Sequence, residues 1–231
     1  MIDKVTTIDR ALAGVRDGQS IMVGGFGVPG TPFLLIEGLL RLGIGELTLI
    51  KNEANEAGLG VSILLEKGRV KRLITSHLGL NATAIAMMNA GEISVAFFPQ
   101  GILAEKIRAG GAGLLAIVTD IGIDTILRHD KQIIRLGSGE AIVEPALRAD
   151  VALVHAAKAD RAGNLVYEKS ARNFNPLMAT AAERVIVEAE MVVETGEIPP
   201  DQIHTPGAFV DYVVKIEQLL PEYGVLQHHV R

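Results

Sequence analysis

The sharpest chemical feature of this 231-residue chain is the glycine run Gly24-Gly25-Phe26-Gly27-Val28-Pro29-Gly30, directly behind the apolar stretch Ser20-Ile21-Met22-Val23. Glycine admits positive φ and lets a ligand approach the backbone closely. A helix starting just beyond, with Thr31 as N-cap and Pro32 at the first helical position, would bring free N–H groups and a positive dipole end to the loop. Such a loop suits a pyrophosphate, a carboxylate or a developing oxyanion. Gly25, Gly27 and Gly30 also fit the dinucleotide spacing G-x-G-x-x-G. The second apolar run, however, is followed by Lys51-Asn52-Glu53, without a convincing acid to hold a ribose.

Other polar residues lie just past apolar runs. Gln100, between Pro99 and Gly101, reads from the residues alone as a polar loop position. Asn52 and Asn81 follow strand ends, where they can touch a substrate, although asparagine in such places also makes turns and caps helices. His77 reads as a structural histidine, and Glu53 is the one acid here that resembles a catalytic carboxylate. Glu105 and Arg108 have the i, i+3 spacing of a surface ion pair. With no cysteine in the chain, disulfides, thiolate metal sites and a cysteine nucleophile are all excluded. No His/Asp/Glu cluster has metal-ligand spacing, and no G-x-S-x-G elbow occurs. His228-His229 stand together near the end, in a segment after Glu217 that reads as a loosely attached tail.

The elements that must position these groups follow from the apolar pattern. Apolar residues make up 48% of the chain and aromatic ones only 4%, so the core is built from Ile, Leu, Val, Ala and Met. A net charge of −5 gives no general attraction to nucleic acid or to anionic membranes. Neither a secretory leader nor a membrane-spanning run is visible, so a soluble, cytoplasmic protein is expected. Strands are predicted at 20–23, 47–50, 70–75, 93–98, 114–118, 140–143, 151–156 and 184–187. Helices are predicted at 7–15, 32–41, 61–66, 82–89, 103–109 and 176–182. This alternation predicts an α/β fold in one domain over 1–231: an open, mainly parallel sheet with helices on both faces. In such sheets ligands bind at the carboxyl ends of strands, where the Gly24–Gly30 loop sits.

The run from Asp17-Gly18 through Gly24-Gly25-Phe26-Gly27-Val28-Pro29-Gly30 to Thr31-Pro32 resembles the signature of family I CoA-transferases. Further segments occur in that family's order: Ser76-His77-Leu78-Gly79-Leu80-Asn81, Pro99-Gln100-Gly101, and Ile107-Arg108-Ala109-Gly110-Gly111-Ala112-Gly113. Lys158-Ala159-Asp160, Ala171-Arg172-Asn173-Phe174-Asn175-Pro176, Glu194-Thr195-Gly196-Glu197 and His204-Thr205-Pro206-Gly207 complete the set. The closest likeness is to α subunits of the acetate/acetoacetate or butyrate/acetoacetate enzymes.

The resemblance implies ping-pong transfer of CoA through a glutamyl-CoA thioester. The glutamate is expected on a β subunit, in a Glu-Asn-Gly setting that this chain lacks. It implies an active site between the subunits, two copies of each chain, coenzyme A as a substrate and no permanently bound cofactor. It also implies that Gln100 points into that site, as an oxyanion donor or substrate-positioning group. Residues 171–176 are then expected to support the subunit interface. Where relatives often carry Ser-Asn-Asn or Ser-Asn-Asp, this chain has Lys51-Asn52-Glu53, and Asp120 and Asp124 replace a proline and a glycine. If these positions line the acyl pocket, their charges alter which carboxylate fits. A sugar-phosphate isomerase or deaminase, or a sugar-phosphate sensor domain, on the same architecture are the alternatives.

Overall fold

The computed structural model describes residues 2–221. From the amino end the chain forms α1 (Ile8–Leu12), β1 (Ser20–Val23), α2 (Phe33–Leu42), β2 (Leu47–Ile50), α3 (Val61–Glu66), β3 (Val70–Thr75), α4 (Ala82–Asn89), β4 (Ser94–Phe97) and α5 (Gln100–Gly111). Then come β5 (Ala116–Thr119), β6 (Gln132–Leu136), β7 (Gly139–Pro145), β8 (Ala149–Asp160), β9 (Leu165–Val166), α6 (Asn175–Met178), β10 (Ala182–Val193) and β11 (Tyr212–Lys215).

Seven strands make a parallel sheet in the order β11-β10-β8-β1-β2-β3-β4, and β9 adds antiparallel to β8. The order reverses direction between β1 and β8, so the topological switch point of the sheet lies beside the glycine loop. Side chains alternate across the sheet with the strand period of two. Ile21, Leu49, Leu73 and Leu153 enter one apolar cluster with the residues of α2 and α3. Met22, Ile50, Ile74 and Ala152 enter a second, with Leu103 and Ile107 of α5 and Met178 of α6. The parallel sheet covered on both faces by helices is therefore as the apolar pattern predicts, and both faces are dry enough to need near-continuous apolar strands.

Some elements differ from expectation. The strands predicted at 114–118 and 140–143 do not join the parallel sheet; with β6, unforeseen because its polar and charged residues interrupt the apolar run, they form a separate antiparallel sheet in the order β5-β7-β6. That sheet is pinned to α5 by buried Lys106, whose Nζ lies 2.6 Å from Glu144 of β7; Lys131, just before β6, lies 3.0 Å from the same carboxylate. The helix predicted at 103–109 starts three residues earlier, on Gln100 itself. The one predicted at 176–182 is a single turn, because Ala182 already begins β10. Of the expected loose tail, Leu220 packs beside Phe33 and Ile216, while His228 and His229 fall outside the described residues. Among the described residues no helix is long and apolar enough to cross a membrane.

Candidate active site

Four loops leave the carboxyl ends of β1, β2, β3 and β4 on one edge of the sheet, and the polar groups singled out in the sequence are on them. The glycine loop after β1 turns through positive φ at Gly25, Gly27 and Gly30 (100°, 61° and 74°). At Gly25 the conformation is doubly restricted, since a Cβ there would also collide with the side chain and backbone nitrogen of Thr31. Phe26 at the tip is 45% exposed.

The loop is braced from below by an ion pair. Lys51 Nζ, with no exposed surface, donates to Gly24 O and to Thr31 Oγ1, both at 3.0 Å, and lies 3.3 Å from Glu53 Oε1. Glu53 accepts the Gly27 N–H at 3.1 Å, and Asn55 Nδ2 donates to Gly27 O at 2.8 Å. Burial lowers the Lys51 pKa, an effect that Glu53 partly offsets. The charges at positions 51 and 53 thus answer one another beneath the loop, where both side chains are buried. Glu53 is 3% exposed with both oxygens engaged, so it is a brace and not a poised nucleophile. A second brace comes from residues 171–176: Asn173 Nδ2 donates to Pro29 O (2.8 Å) and Asn175 Nδ2 to Gly30 O (3.0 Å).

The helix behind the loop does not offer the anion site that the sequence suggests. Thr31 is not its cap; the hydroxyl donates back to Gly27 O at 2.7 Å, and Pro32 takes the N-cap position without a side-chain bond. Instead the buried carboxylate of Glu188, reaching over from β10, accepts the Leu35 N–H at 3.0 Å. An internal anion already holds the amino end of α2. The amino end of α5 is different, because among the described residues no side chain caps it, and its first residue is Gln100. Its first-turn N–H groups and positive dipole end lie at Gln100.

Gln100 is held by a relay that starts at Glu53. A carboxylate only accepts hydrogen bonds, so Asn52 must turn its Nδ2 to Glu53 Oε2, at 2.7 Å. That orientation leaves Asn52 Oδ1 to accept from Ser76 Oγ (2.9 Å) and from Gln100 Nε2 (2.8 Å). The amide group of Gln100 keeps a second N–H for a ligand. Asn52 itself has no exposed surface, and it touches Gln100 rather than the open side of the site. Asn81 departs further from expectation. It is 1% exposed, its Oδ1 caps α4 through the Ala84 N–H (2.8 Å), and its Nδ2 donates to Ser62 Oγ (2.8 Å) and to the Asn55 carbonyl (3.1 Å). It shapes the loop after β2 and offers no atom to a substrate.

Gln100 opens on a cleft of about 320 Å³ between α5 and α6, lined also by Phe26, Gly101, Ala104, Asn173 and Leu177. A larger hollow of about 470 Å³ lies at the amino ends of the strands, by Ser20, Arg148 and Asp150, away from all of these groups. Asp120 and Asp124 lie exposed in the segment between β5 and β6, and Glu105 and Arg108 form the expected surface pair at 2.8 Å. Among the described residues no group of three or more acidic or histidine side chains is placed to hold a metal ion.

Comparison with known proteins places this fold in a family. The chain matches the Coenzyme A transferase family over residues 5–216. It is 49% identical to the alpha chain of a probable coenzyme A transferase of Bacillus subtilis, covering 93% of this chain and 94% of that one. It is 45% identical to the alpha chain of the acetate CoA-transferase of Escherichia coli K12 (93% and 97% covered). Identity is 42% to the matching chain of a Helicobacter pylori succinyl-CoA:3-ketoacid coenzyme A transferase (93% and 92%). In fold it resembles an acyl-CoA transferase of E. coli O157:H7, solved as a thioester complex with CoA, at a TM-score of 0.84 and 21% identity; the match covers 95% of this chain but only 48% of that longer one. Glutaconate coenzyme A-transferase of Acidaminococcus fermentans gives a TM-score of 0.81 at 22% identity, with 92% and 75% covered. The parallel sheet, with its braced glycine loop and oriented glutamine at the strand ends, thus lies within a likeness that runs along nearly the whole chain, and the chain belongs to the coenzyme A transferase family.

Proposed function

We propose that this chain is the α subunit of a two-subunit CoA-transferase, which moves CoA from a short-chain acyl-CoA to a free carboxylate. The observation that carries the reading is the Glu53–Asn52–Gln100 relay: it aims a glutamine N–H into a half-open cleft while tying up the nearest carboxylate. Among the described residues the half-site has a donor for a developing oxyanion and no free carboxylate beside it. The attacking group, as the family resemblance implies, is a glutamate of the partner β subunit. Its carboxylate adds to the thioester carbonyl and expels CoA thiolate, giving a mixed anhydride; the thiolate then attacks the glutamyl carbonyl, the acyl group leaves as a free carboxylate, and the glutamate keeps CoA as its thioester. A second carboxylate then reverses the sequence and leaves with the CoA. Negative charge gathers on the carbonyl oxygen in each addition, where the free N–H of Gln100 stabilises it; such a donor is worth about 2.7–4 kcal/mol in a transition state.

Coenzyme A enters as a substrate, and two α and two β chains make the enzyme. Acetate and 3-ketoacid relatives, together with the apolar wall formed by Phe26, Ala104 and Leu177, support a short acyl group of two to about four carbons. The test is CoA transfer from acetyl-, butyryl-, acetoacetyl- and succinyl-CoA to a panel of carboxylates, by this chain alone and co-expressed with its partner. Turnover only in the pair supports the reading; turnover of a sugar phosphate by the chain alone would overturn it.

A further inference from the structure

We infer that His155 and Glu188 are positioning residues of the transfer reaction: they hold the amino end of α2 and the Gly30 carbonyl, and through them the glycine loop. The kinetic consequence rests on the reaction proposed above, whereas the ordering of the loop does not.

Glu188 lies in the middle of β10 with no exposed surface. Its Oε2 accepts the Leu35 N–H, and Oε1 is 2.9 Å from His155 Nδ1 on the neighbouring strand β8. The other ring nitrogen, Nε2, is 3.0 Å from Glu190 Oε1. Both partners are carboxylates, which accept only, so the ring must donate from both nitrogens and is an imidazolium. The same residue works through its backbone as well. The His155 N–H donates to Asn175 Oδ1 at 3.1 Å, and Asn175 Nδ2 holds Gly30 O. One residue of β8 thereby reaches both the carboxyl end of the loop and the start of the helix that follows it.

Among the described residues, Glu188 and Glu190 on β10 are the charged groups bonded to the ring, and Lys51 donates to Gly24 O in the loop. Burial opposes a charge on His155, but hydrogen bonds to the two glutamates and their charges outweigh it and raise its pKa to about 9. A neutral ring would turn a lone pair toward one carboxylate. Glu188 would then sit buried without its counter-charge, an arrangement that destabilises a site strongly. Its bond to Leu35 would weaken and α2 would shift against the loop.

The experiment uses the chain assembled with its partner, in the variants His155→Gln and Glu188→Gln. Each is expected to lower kcat 10- to 100-fold with KM changed less than about threefold, since small displacements of positioning groups cost up to about 100-fold. Amide hydrogen exchange over 24–35 should quicken at least tenfold while residues 61–66 keep the wild-type rate. Glu190→Gln should move the alkaline limb of the wild-type pH profile to lower pH, a shift that a merely structural role would not cause. Unchanged kcat and unchanged exchange in both variants would overturn the assignment. If the variants do not assemble, nitrogen NMR of ring-labelled wild-type chain decides: an imidazolium at pH 7.5 supports it, and a neutral ring overturns it. Should no CoA transfer be found in any sample, the exchange and NMR measurements still judge the loop.

Discussion

Removing the Asn52 carboxamide tests how the glutamine of the half-site is aimed. In Asn52→Ala, Gln100 keeps its own amide but loses the 2.8 Å acceptor that fixes it. The lost hydrogen bond is worth about 1 kcal/mol. A glutamine freed in the ground state must be ordered again in the transition state, at up to about 2 kcal/mol. The two effects together predict a drop in kcat/KM of roughly 5- to 150-fold. Gln100→Ala removes the donor outright and should cost about 10²–10³-fold. The decisive quantity is the double variant. If Asn52 acts only through Gln100, then Asn52→Ala/Gln100→Ala is no slower than Gln100→Ala alone, which is a coupling energy equal to the whole Asn52 effect. The assay is steady-state acyl transfer by the assembled enzyme, read at a temperature where every variant remains folded. This precaution matters because Glu53 loses its 2.7 Å donor in the variant, at about 1–3 kcal/mol of stability. Additive losses would refute the relay and place Asn52 on the substrate itself.

Three further outcomes are expected. Gly25→Ala, at φ 100° and against Thr31, should abolish turnover and lower the melting temperature of the chain, and a wild-type melt would show that the loop is more pliant than its geometry implies. Lys51→Met leaves Glu53 buried without its cation and should cost about 3–5 kcal/mol in urea unfolding, whereas a loss under about 1 kcal/mol would mean that Glu53 takes up a proton instead. The His155 pKa of about 9 lies above its ordinary value of 6.5, so its contribution to stability is complete below about pH 6.5 and is lost as the pH rises through 9. Unfolding midpoints that fall from pH 7 to 10 in wild type but stay flatter in His155→Gln would bear this out; equal slopes would not.

The fold was legible wherever one face of an element reads apolar. Val61–Glu66, Val70–Thr75 and Ala82–Asn89 are placed to the residue by sequence, because a glycine or an asparagine marks an end beside a clear run. The small antiparallel sheet was not. Gln132–Leu136 carries a charge and a glutamine amid its isoleucines, and only its pairing with Gly139–Pro145 makes it a strand. The places of the glycine loop and Gln100 at the strand ends were legible, but the residues that support them were misread. Asn52 and Asn81 looked like substrate contacts because short polar residues after strands serve both ligands and caps, and only burial separates the two uses. Thr31 looked like a cap because nothing local says that Lys51, twenty residues on, will claim its hydroxyl. The signal for His155 and Glu188 was nonetheless present. Each is a charged residue inside an apolar strand run, Val-Ala-Leu-Val-His and Val-Ile-Val-Glu, where an unpaired charge would be too costly to bury.

The central claim is that this chain orients the reaction while its partner supplies the nucleophile. Intact-mass spectrometry of the assembled enzyme, incubated with acyl-CoA and no acceptor carboxylate, tests it most directly. A CoA adduct confined to the partner chain, and lost on adding the acceptor, is the predicted result. A CoA adduct on this chain, above all on Glu53, would contradict the account.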